Sequence, residues 1–131
     1  GTNFAVIENA RRPHHDFSYL QDWGQTTVES LLEARGLPLT ILATGGIRSP
    51  LDVIKAQRLG AHAVGISGLV LHHLIQTDYA ATLAYFQEFL QQLRQLYALL
   101  GVTNWQALQT APAVLSSELE HYRRARGLPT I

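Results

Sequence analysis

A short apolar run ending in two adjacent glycines constrains the fold of this chain more than any other feature. The run covers residues 39–43, and the turn after it, residues 44–50, reads Thr-Gly-Gly-Ile-Arg-Ser-Pro. Adjacent glycines let the backbone turn tightly and approach an anion, while Ser-Pro supplies a helix N-cap and a first-turn proline. A helix that starts there directs N–H groups and the positive end of its dipole at the turn. The pattern predicts a strand, a phosphate-binding turn and a helix; for the glycine pair taken alone, a plain tight turn is the alternative.

A second turn of the same kind follows at the distance that one helix and one strand require. The sequence predicts a helix over residues 50–59 and a strand over 63–66, which ends at Ser67-Gly68. Strands joined by such a crossover run parallel, so the two turns are expected side by side at one edge of the sheet. Paired turns of this kind after the last two strands of a β/α barrel form a common phosphate site, often for a phosphorylated cofactor.

Length and composition limit the possible classes of protein. With 131 residues the chain is long enough for one domain but short of the about 250 residues of a full β/α barrel. Ten basic and ten acidic residues balance, which gives no electrostatic argument for nucleic acid or a membrane surface as partner. The absence of cysteine excludes disulfides, Fe–S clusters and thiolate zinc sites and is compatible with a cytoplasmic location. No apolar run is long enough to span a bilayer, and the opening Gly1 in a chain without methionine suggests a piece of a longer protein.

The remaining segments are predicted to be mostly helical. Residues 1–9 show no clear pattern, and 11–16 form a polar loop broken by proline. Apolar spacing and caps predict further helices over 27–35, 69–75, 79–100, 105–110 and 116–126. We expect an α/β fold with a helical C-terminal extension, and residues 1–131 as a single unit.

The long helix after Asp78 has apolar residues at three- and four-residue spacing. The apolar positions are Tyr79, Leu83, Phe86, Leu90, Leu93, Tyr97 and Leu100. This stripe predicts packing on the sheet; a coiled coil is the alternative, which the lack of a strict heptad disfavours.

Few side chains suggest chemistry of their own. The adjacent pairs His14-His15 and His72-His73 point about 100° apart on a helix, so no metal site is predicted. The sequence has no Gly-x-Ser-x-Gly motif, which disfavours a Ser-His-Asp triad, and no catalytic residue is predicted. Arg48 is different because a guanidinium at the mouth of the glycine turn can bind an anion bidentately. An ion pair with a neighbouring helix is the alternative for Arg48.

Several segments, in order along the whole chain, resemble the C-terminal half of the type 2, FMN-dependent isopentenyl-diphosphate isomerases. The matching segments are Gly-Thr-Asn-Phe at 1–4, Trp-Gly at 23–24, residues 43–53 and Gly-Ile-Ser-Gly at 65–68. The two glycine turns are shared with many FMN barrels, whereas the first two segments narrow the resemblance to the isomerases. The resemblance implies a TIM (β/α)8 barrel of which this chain forms the last two strands and terminal helices.

The resemblance also implies an FMN site built partly from this chain. The residues it assigns to FMN are Thr2, Gly45, Gly46, Ile47, Arg48, Ser67 and Gly68. Many members have alanine where this chain has Ser67, a change that keeps the backbone amide.

The implied reaction converts isopentenyl diphosphate to dimethylallyl diphosphate in isoprenoid biosynthesis, with NADPH to reduce the flavin and Mg²⁺ to bind the diphosphate. The family's substrate-binding and Mg²⁺-binding residues precede the segment that this chain carries, so the chain alone is expected to be inactive. We expect it to pair with the missing N-terminal half or to form a homo-oligomer. Two alternatives stay open: another FMN-dependent barrel oxidoreductase, which would need His14 or His15 as its base, and a non-catalytic phosphate-binding or oligomerisation fragment.

Overall fold

The computed structural model describes residues 3–14 and 16–131, and these residues form helices around one pair of strands. The helices are α1 Phe4–Ala10, α2 Thr27–Ala34, α3 Pro50–Arg58, α4 Gly68–Gln76, α5 Tyr79–Leu99, α6 Trp105–Leu108 and α7 Ser117–Ala125, with a 3₁₀ turn at Ser18–Leu20. The strands are β1 Leu42–Thr44 and β2 Ala63–Gly65.

The two strands run parallel and are connected through α3, as predicted. Leu42 lies opposite Ala63, and Thr44 lies opposite Gly65. Within the described residues these are the two strands of a single small sheet. Both strands therefore end at the same edge, where the chain turns at Gly45 and at Ile66.

The predicted strand bounds, 39–43 and 63–66, were wrong by a few residues. Residues 39–41 lie outside the ladder, although Ile41 still bonds to His62: its carbonyl accepts from the His62 N–H at 2.8 Å, and its N–H donates to the ring nitrogen Nδ1 at 3.1 Å. At the other end Thr44 belongs to β1, where its hydroxyl donates to the Gly65 carbonyl across the pair, at 3.3 Å. Both contacts join residues that are distant in sequence, so local pattern could not place them.

The hydrophobic core lies between β1 and the helices on one face of the sheet. Its buried members are Leu31, Leu32, Ala43, Ile47, Val53, Ala56, Leu59, Ala61 and Phe89. The opposite face is open: the side chain of Leu42 is 69% exposed, and Thr44 and Ala63 are exposed too. Strand alternation thus buries Ala43 and leaves its two neighbours on an uncovered surface.

Helix α5 packs with only part of the predicted stripe, and with Phe89 in addition. Phe89 is buried, with Phe86 and Leu93 packed against the same core, whereas Leu83 and Leu90 are about half exposed. The helix contacts α3 and α4, and the Tyr97 hydroxyl donates to Gln57 of α3 at 2.7 Å. The predicted core packing is confirmed for Phe86 and Leu93. The predicted partner, the sheet, was wrong in the main, because α5 packs chiefly on α3 and α4.

Two further features concern the ends of the described chain. Residues 1–9 show no clear pattern in the sequence, yet most of them belong to α1. The Asn3 side chain caps this helix by accepting from the Val6 N–H at 3.0 Å. Helix α7 is tied to α2 through Glu33, which accepts from the Tyr122 hydroxyl at 2.8 Å and from Arg126 Nε at 2.7 Å. Over residues 3–14 and 16–131, no helix has both the length and the apolar character required to cross a bilayer.

Candidate functional site

Both glycine-bearing turns open into one cleft of about 680 Å³ at the carboxyl edge of the strand pair. Its lining residues come from α1, the ends of the two strands, the turns after them and the first half of α4: Phe4, Thr44, Gly45, Gly46, Ile47, Arg48, Gly65, Ile66, Ser67, Gly68, Leu69 and His72. The cleft thus brings together six of the seven residues assigned from sequence. The seventh, Thr2, lies outside the described residues.

The first turn needs both of its glycines and is held from α2. Gly45 and Gly46 have φ values of 104° and 73°, in the left-handed region that side-chain-bearing residues rarely adopt. The hydroxyl of Thr27, the first residue of α2, donates to the Gly45 carbonyl at 2.9 Å and to the Thr44 carbonyl at 3.2 Å. These bonds direct the two carbonyls towards α2, and the peptide N–H groups that follow border the cleft.

The start of α3 is closed by a capping box that uses one of the turn's amides. The Ser49 hydroxyl accepts from the Asp52 N–H, and the Asp52 carboxylate accepts from the N–H groups of Ser49 at 2.9 Å and Arg48 at 3.1 Å. Burial raises the pKa of Asp52, but the hydrogen bonds from Arg48 and Ser49 outweigh it, so the pKa lies below its ordinary value. The Arg48 amide is therefore occupied, whereas those of Gly46 and Ile47 find no acceptor in the part of the chain that the structure describes.

The second turn leaves the start of α4 uncapped. Ser67 occupies the N-cap position, yet its side chain makes no capping hydrogen bond. The first backbone hydrogen bond of α4 is donated by the Leu71 N–H to the Ser67 carbonyl, at 3.0 Å. The N–H groups of Gly68, Leu69 and Val70 accordingly lack an acceptor among the described residues. Such groups, with the positive end of the helix dipole, favour an anion.

The space beside both turns fits a group larger than water. A Cβ placed on Gly46 or Gly68 would meet no atom of the protein within 4 Å, so each glycine borders open cleft. Gly65 is different: a Cβ there would lie 3.3 Å from the Thr44 hydroxyl. Gly65 thus permits the close approach of the strands, while Gly46 and Gly68 leave room for a ligand's phosphate.

The side chains around the cleft favour negative charge in a ligand. Arg48 is exposed, and within residues 3–14 and 16–131 its guanidinium has no acidic partner. The predicted alternative, an ion pair with a neighbouring helix, is therefore not formed by the described residues. No Asp or Glu is among the described residues that line the cleft. The Ile47 side chain is only 8% exposed and belongs to the core, so Ile47 can serve a ligand through its backbone alone.

Sequence reasoning assigned neither Phe4 nor His72 to this cleft, although the side chains of both line it. In the sequence, His72 suggested only a metal ligand. However, Gly68 and His72 are four residues apart and hence lie on one face of α4. Its neighbour His73 points to α5: its Nδ1 lies 3.3 Å from the Thr82 hydroxyl, and its ring packs on Tyr85. The two histidines thus face different surroundings. The four-residue spacing from Gly68 was the sequence feature that could have placed His72 in the cleft. Phe4 is 71% exposed and had no comparable signal.

This chain matches one described protein family and is similar to proteins named isopentenyl-diphosphate delta-isomerase. Residues 22–115 match the family described as FMN-dependent dehydrogenase. The chain is 83% identical over 131 residues to an isopentenyl-diphosphate delta-isomerase of Lacticaseibacillus paracasei, covering 100% of this chain and 38% of that protein. It is 52% identical over 130 residues to the isopentenyl-diphosphate delta-isomerase of Latilactobacillus sakei and 42% identical to that of Staphylococcus epidermidis, covering 98% of this chain and 37% of each relative. The chain thus spans less than two fifths of the length of these relatives.

Proposed function

Because the chain belongs to the family of FMN-dependent dehydrogenases, we propose that it forms the FMN-phosphate-binding part of an isopentenyl-diphosphate delta-isomerase. One observation carries the proposal: two glycine turns with unused N–H groups meet in a cleft that has a cation but no carboxylate among its described lining residues. The names of the relatives supply the reaction class, isomerisation of isopentenyl diphosphate, and the resemblance supplies dimethylallyl diphosphate as the product.

The chain's own residues would hold the cofactor by its phosphate. The N–H groups of Gly46 and Ile47 would donate from the first turn, and those of Gly68 and Leu69 from the second. Arg48 adds a side chain that can bind phosphate with two parallel N–H groups. Ser67 would contribute through its backbone position at the start of α4. Thr2 is a further proposed FMN contact, outside the described residues.

The flavin, once bound and reduced, would supply the proton donor and acceptor that moves the double bond without net oxidation. The protein's contribution is then to fix the cofactor's position and to keep its phosphate neutralised. We propose NADPH as the reductant and Mg²⁺ as the ion that would bind the substrate diphosphate. No group of three or more His, Cys, Asp or Glu within residues 3–14 and 16–131 could hold a metal ion, so we place the Mg²⁺ ligands outside this part.

The fold proposed for the complete protein is a TIM (β/α)8 barrel, with β1 and β2 as its last two strands and α5 to α7 as a C-terminal extension. The exposed face that carries Leu42 and Ala63 would then point to the barrel interior. We propose that residues 1–131 form one structural unit that acts in the cytoplasm. This unit would pair with the missing N-terminal half or form a homo-oligomer. On its own it would not catalyse the reaction.

Flavin binding tests this proposal directly. The intact polypeptide that carries these residues is stripped of flavin and titrated with FMN and with riboflavin, which lacks the phosphate, while flavin fluorescence is followed. We expect FMN to bind at least about tenfold more tightly, since each charge-assisted hydrogen bond contributes roughly 1.5–3 kcal/mol. Equal affinity for the two flavins would contradict the proposed phosphate site.

Substitution of the cleft arginine adds a matched comparison. Arg48→Gln should weaken FMN binding while leaving riboflavin binding unchanged. Arg94→Gln, at an exposed position of α5 outside the cleft, should change neither.

A turnover assay of the intact polypeptide distinguishes an isomerase from an oxidoreductase. With FMN, NADPH and Mg²⁺ present, NMR should detect dimethylallyl diphosphate from isopentenyl diphosphate with NADPH consumed only to reduce the enzyme. NADPH consumption in step with product would instead indicate an oxidoreductase.

A further inference from the structure

His72 is the second nitrogen-bearing side chain in the cleft, and no hydrogen bond to it comes from the described residues. It lies at the fifth residue of α4 and is exposed. It lines the cleft together with Gly68 and Leu69, whose N–H groups also lack acceptors among the described residues. An exposed imidazole beside unused amides is available to a ligand rather than committed to the fold.

The geometry of α4 directs His72 to the helix start. In an α-helix the Cα–Cβ bond tilts towards the N-terminus, so a side chain covers the turn before its own Cα. For His72 that turn begins at Gly68, which has no side chain and borders open space. The imidazole therefore lies over the part of the cleft that the uncapped amides face.

The rotation of α4 about its axis is fixed by the neighbouring histidine. His73 Nδ1 lies within hydrogen-bonding distance of two hydroxyls, 3.1 Å from Thr77 and 3.3 Å from Thr82 of α5. Its ring centroid is 4.5 Å from that of Tyr85, also on α5. With His73 held against α5, His72 lies about 100° further round the helix and is held on the cleft side.

We propose that His72 donates a hydrogen bond to the same phosphate as the two glycine turns, as a positioning contact in addition to Arg48. The neutral imidazole already offers one N–H donor, and the protonated form offers two. This inference rests on the proposed function, because it assumes that a phosphate-bearing flavin occupies the cleft. It adds a side chain that would select FMN over a flavin without phosphate.

The test compares His72 with a histidine in an equivalent helical setting. His121 is the fifth residue of α7, which like α4 has nine residues, and is also exposed. In the intact polypeptide, His72→Ala should weaken FMN binding about tenfold or more and leave riboflavin binding unchanged. His121→Ala should change neither, and His72→Lys should restore part of the preference for FMN. Thermal unfolding of the flavin-free variants checks that the fold is kept.

Each other outcome identifies what fails. If wild type prefers FMN and His72→Ala does so equally, the assignment of His72 is wrong while the phosphate site stands. If His72→Ala weakens both flavins alike, His72 has a structural role and the proposal is again wrong. If wild type itself shows no preference for FMN, both this inference and the proposed function fail.

Discussion

The glycines of the cleft differ in what an added side chain would meet. At Gly68 a substitution should therefore affect ligand binding without affecting the stability of the fold. Gly68 is the first residue of α4 and faces open space, so Gly68→Leu should not lower the stability of the flavin-free protein. The same side chain would occupy the cleft, and we expect FMN affinity to fall by at least about tenfold, as for loss of a charged hydrogen bond. Thermal unfolding and flavin titration of the same samples measure the two effects. A loss of stability without a loss of affinity would contradict this assignment of Gly68.

Asp52 provides a second prediction for a single residue, because its carboxylate holds the start of α3 and the Arg48 amide. Asp52→Ala should lower the free energy of unfolding by about 1 kcal/mol at pH 7, as for loss of a helix cap. Asp22→Ala, at an exposed position, is the matched control and should have little effect.

The difference in free energy of unfolding between wild type and Asp52→Ala should depend on pH, because the pKa of Asp52 is lowered in the folded state. Its hydrogen bonds keep the folded-state pKa below the ordinary value of 3.8. The carboxylate therefore stabilises the fold fully above that value, and the contribution is lost as pH falls through the folded pKa. Chemical denaturation should show wild type and Asp52→Ala converging in acid. A constant difference down to the lowest pH would show that the carboxylate charge is not responsible.

At the scale of elements, Glu33 determines how α7 is attached to α2. The hydrogen bond from Arg126 is the main cause that lowers the pKa of Glu33, followed by that from Tyr122. The attachment is thus present above the ordinary Glu value of 4.5 and weakens as pH falls through the lower folded pKa. Glu33→Gln should lower the melting temperature at pH 7 and have a smaller effect in acid.

The control for Glu33 lies on α7 itself. Glu118→Gln changes an exposed carboxylate for which the described residues provide no ion pair, and it should leave the melting temperature unchanged. A double-mutant cycle of Glu33→Gln with Arg126→Gln should give a coupling energy that disappears in acid. Additive effects at pH 7 would contradict the attachment.

Helix caps and turns were predictable from sequence because they depend on neighbouring residues. Ser49, Asp78 and Asn104 each accept the predicted N-terminal hydrogen bond, from Asp52, Ala81 and Ala107 respectively. Gly45 and Gly46 likewise adopt the positive φ values that their turn implies.

Contacts between distant segments were not predictable in this way. Ile41 and His62, 21 residues apart, form two hydrogen bonds just before β1 and β2. Packing on α3 and α4 decides that Phe89 rather than Leu90 of α5 is buried. The same contrast between local and long-range features applies to the cleft. Its glycine turns were predicted from sequence, whereas His72 and Phe4 line it because of where α4 and α1 are placed.

At the scale of the whole molecule, residues 3–14 and 16–131 leave one face of the sheet uncovered. Leu42 is 69% exposed on that face and Leu39, just before the strand, is 63% exposed. In the described residues β1 and β2 pair only with each other, and exposed strand edges and apolar faces favour association. The isolated chain should therefore self-associate with increasing concentration in analytical ultracentrifugation.

The residue that tests this association is Leu42. Leu42→Gln removes apolar surface from the uncovered sheet face without disturbing the core and should shift the isolated chain towards monomer. Leu71→Gln removes a leucine of comparable exposure, 59%, from α4 and should leave the association unchanged. In a complete barrel the inward position of Leu42 would be covered, so the same Leu42→Gln change there should destabilise the fold by roughly 1–3 kcal/mol, as burial of a polar side chain does. An isolated chain that stays monomeric at every concentration, or a complete protein indifferent to Leu42→Gln, would contradict the assignment of this face to a barrel interior.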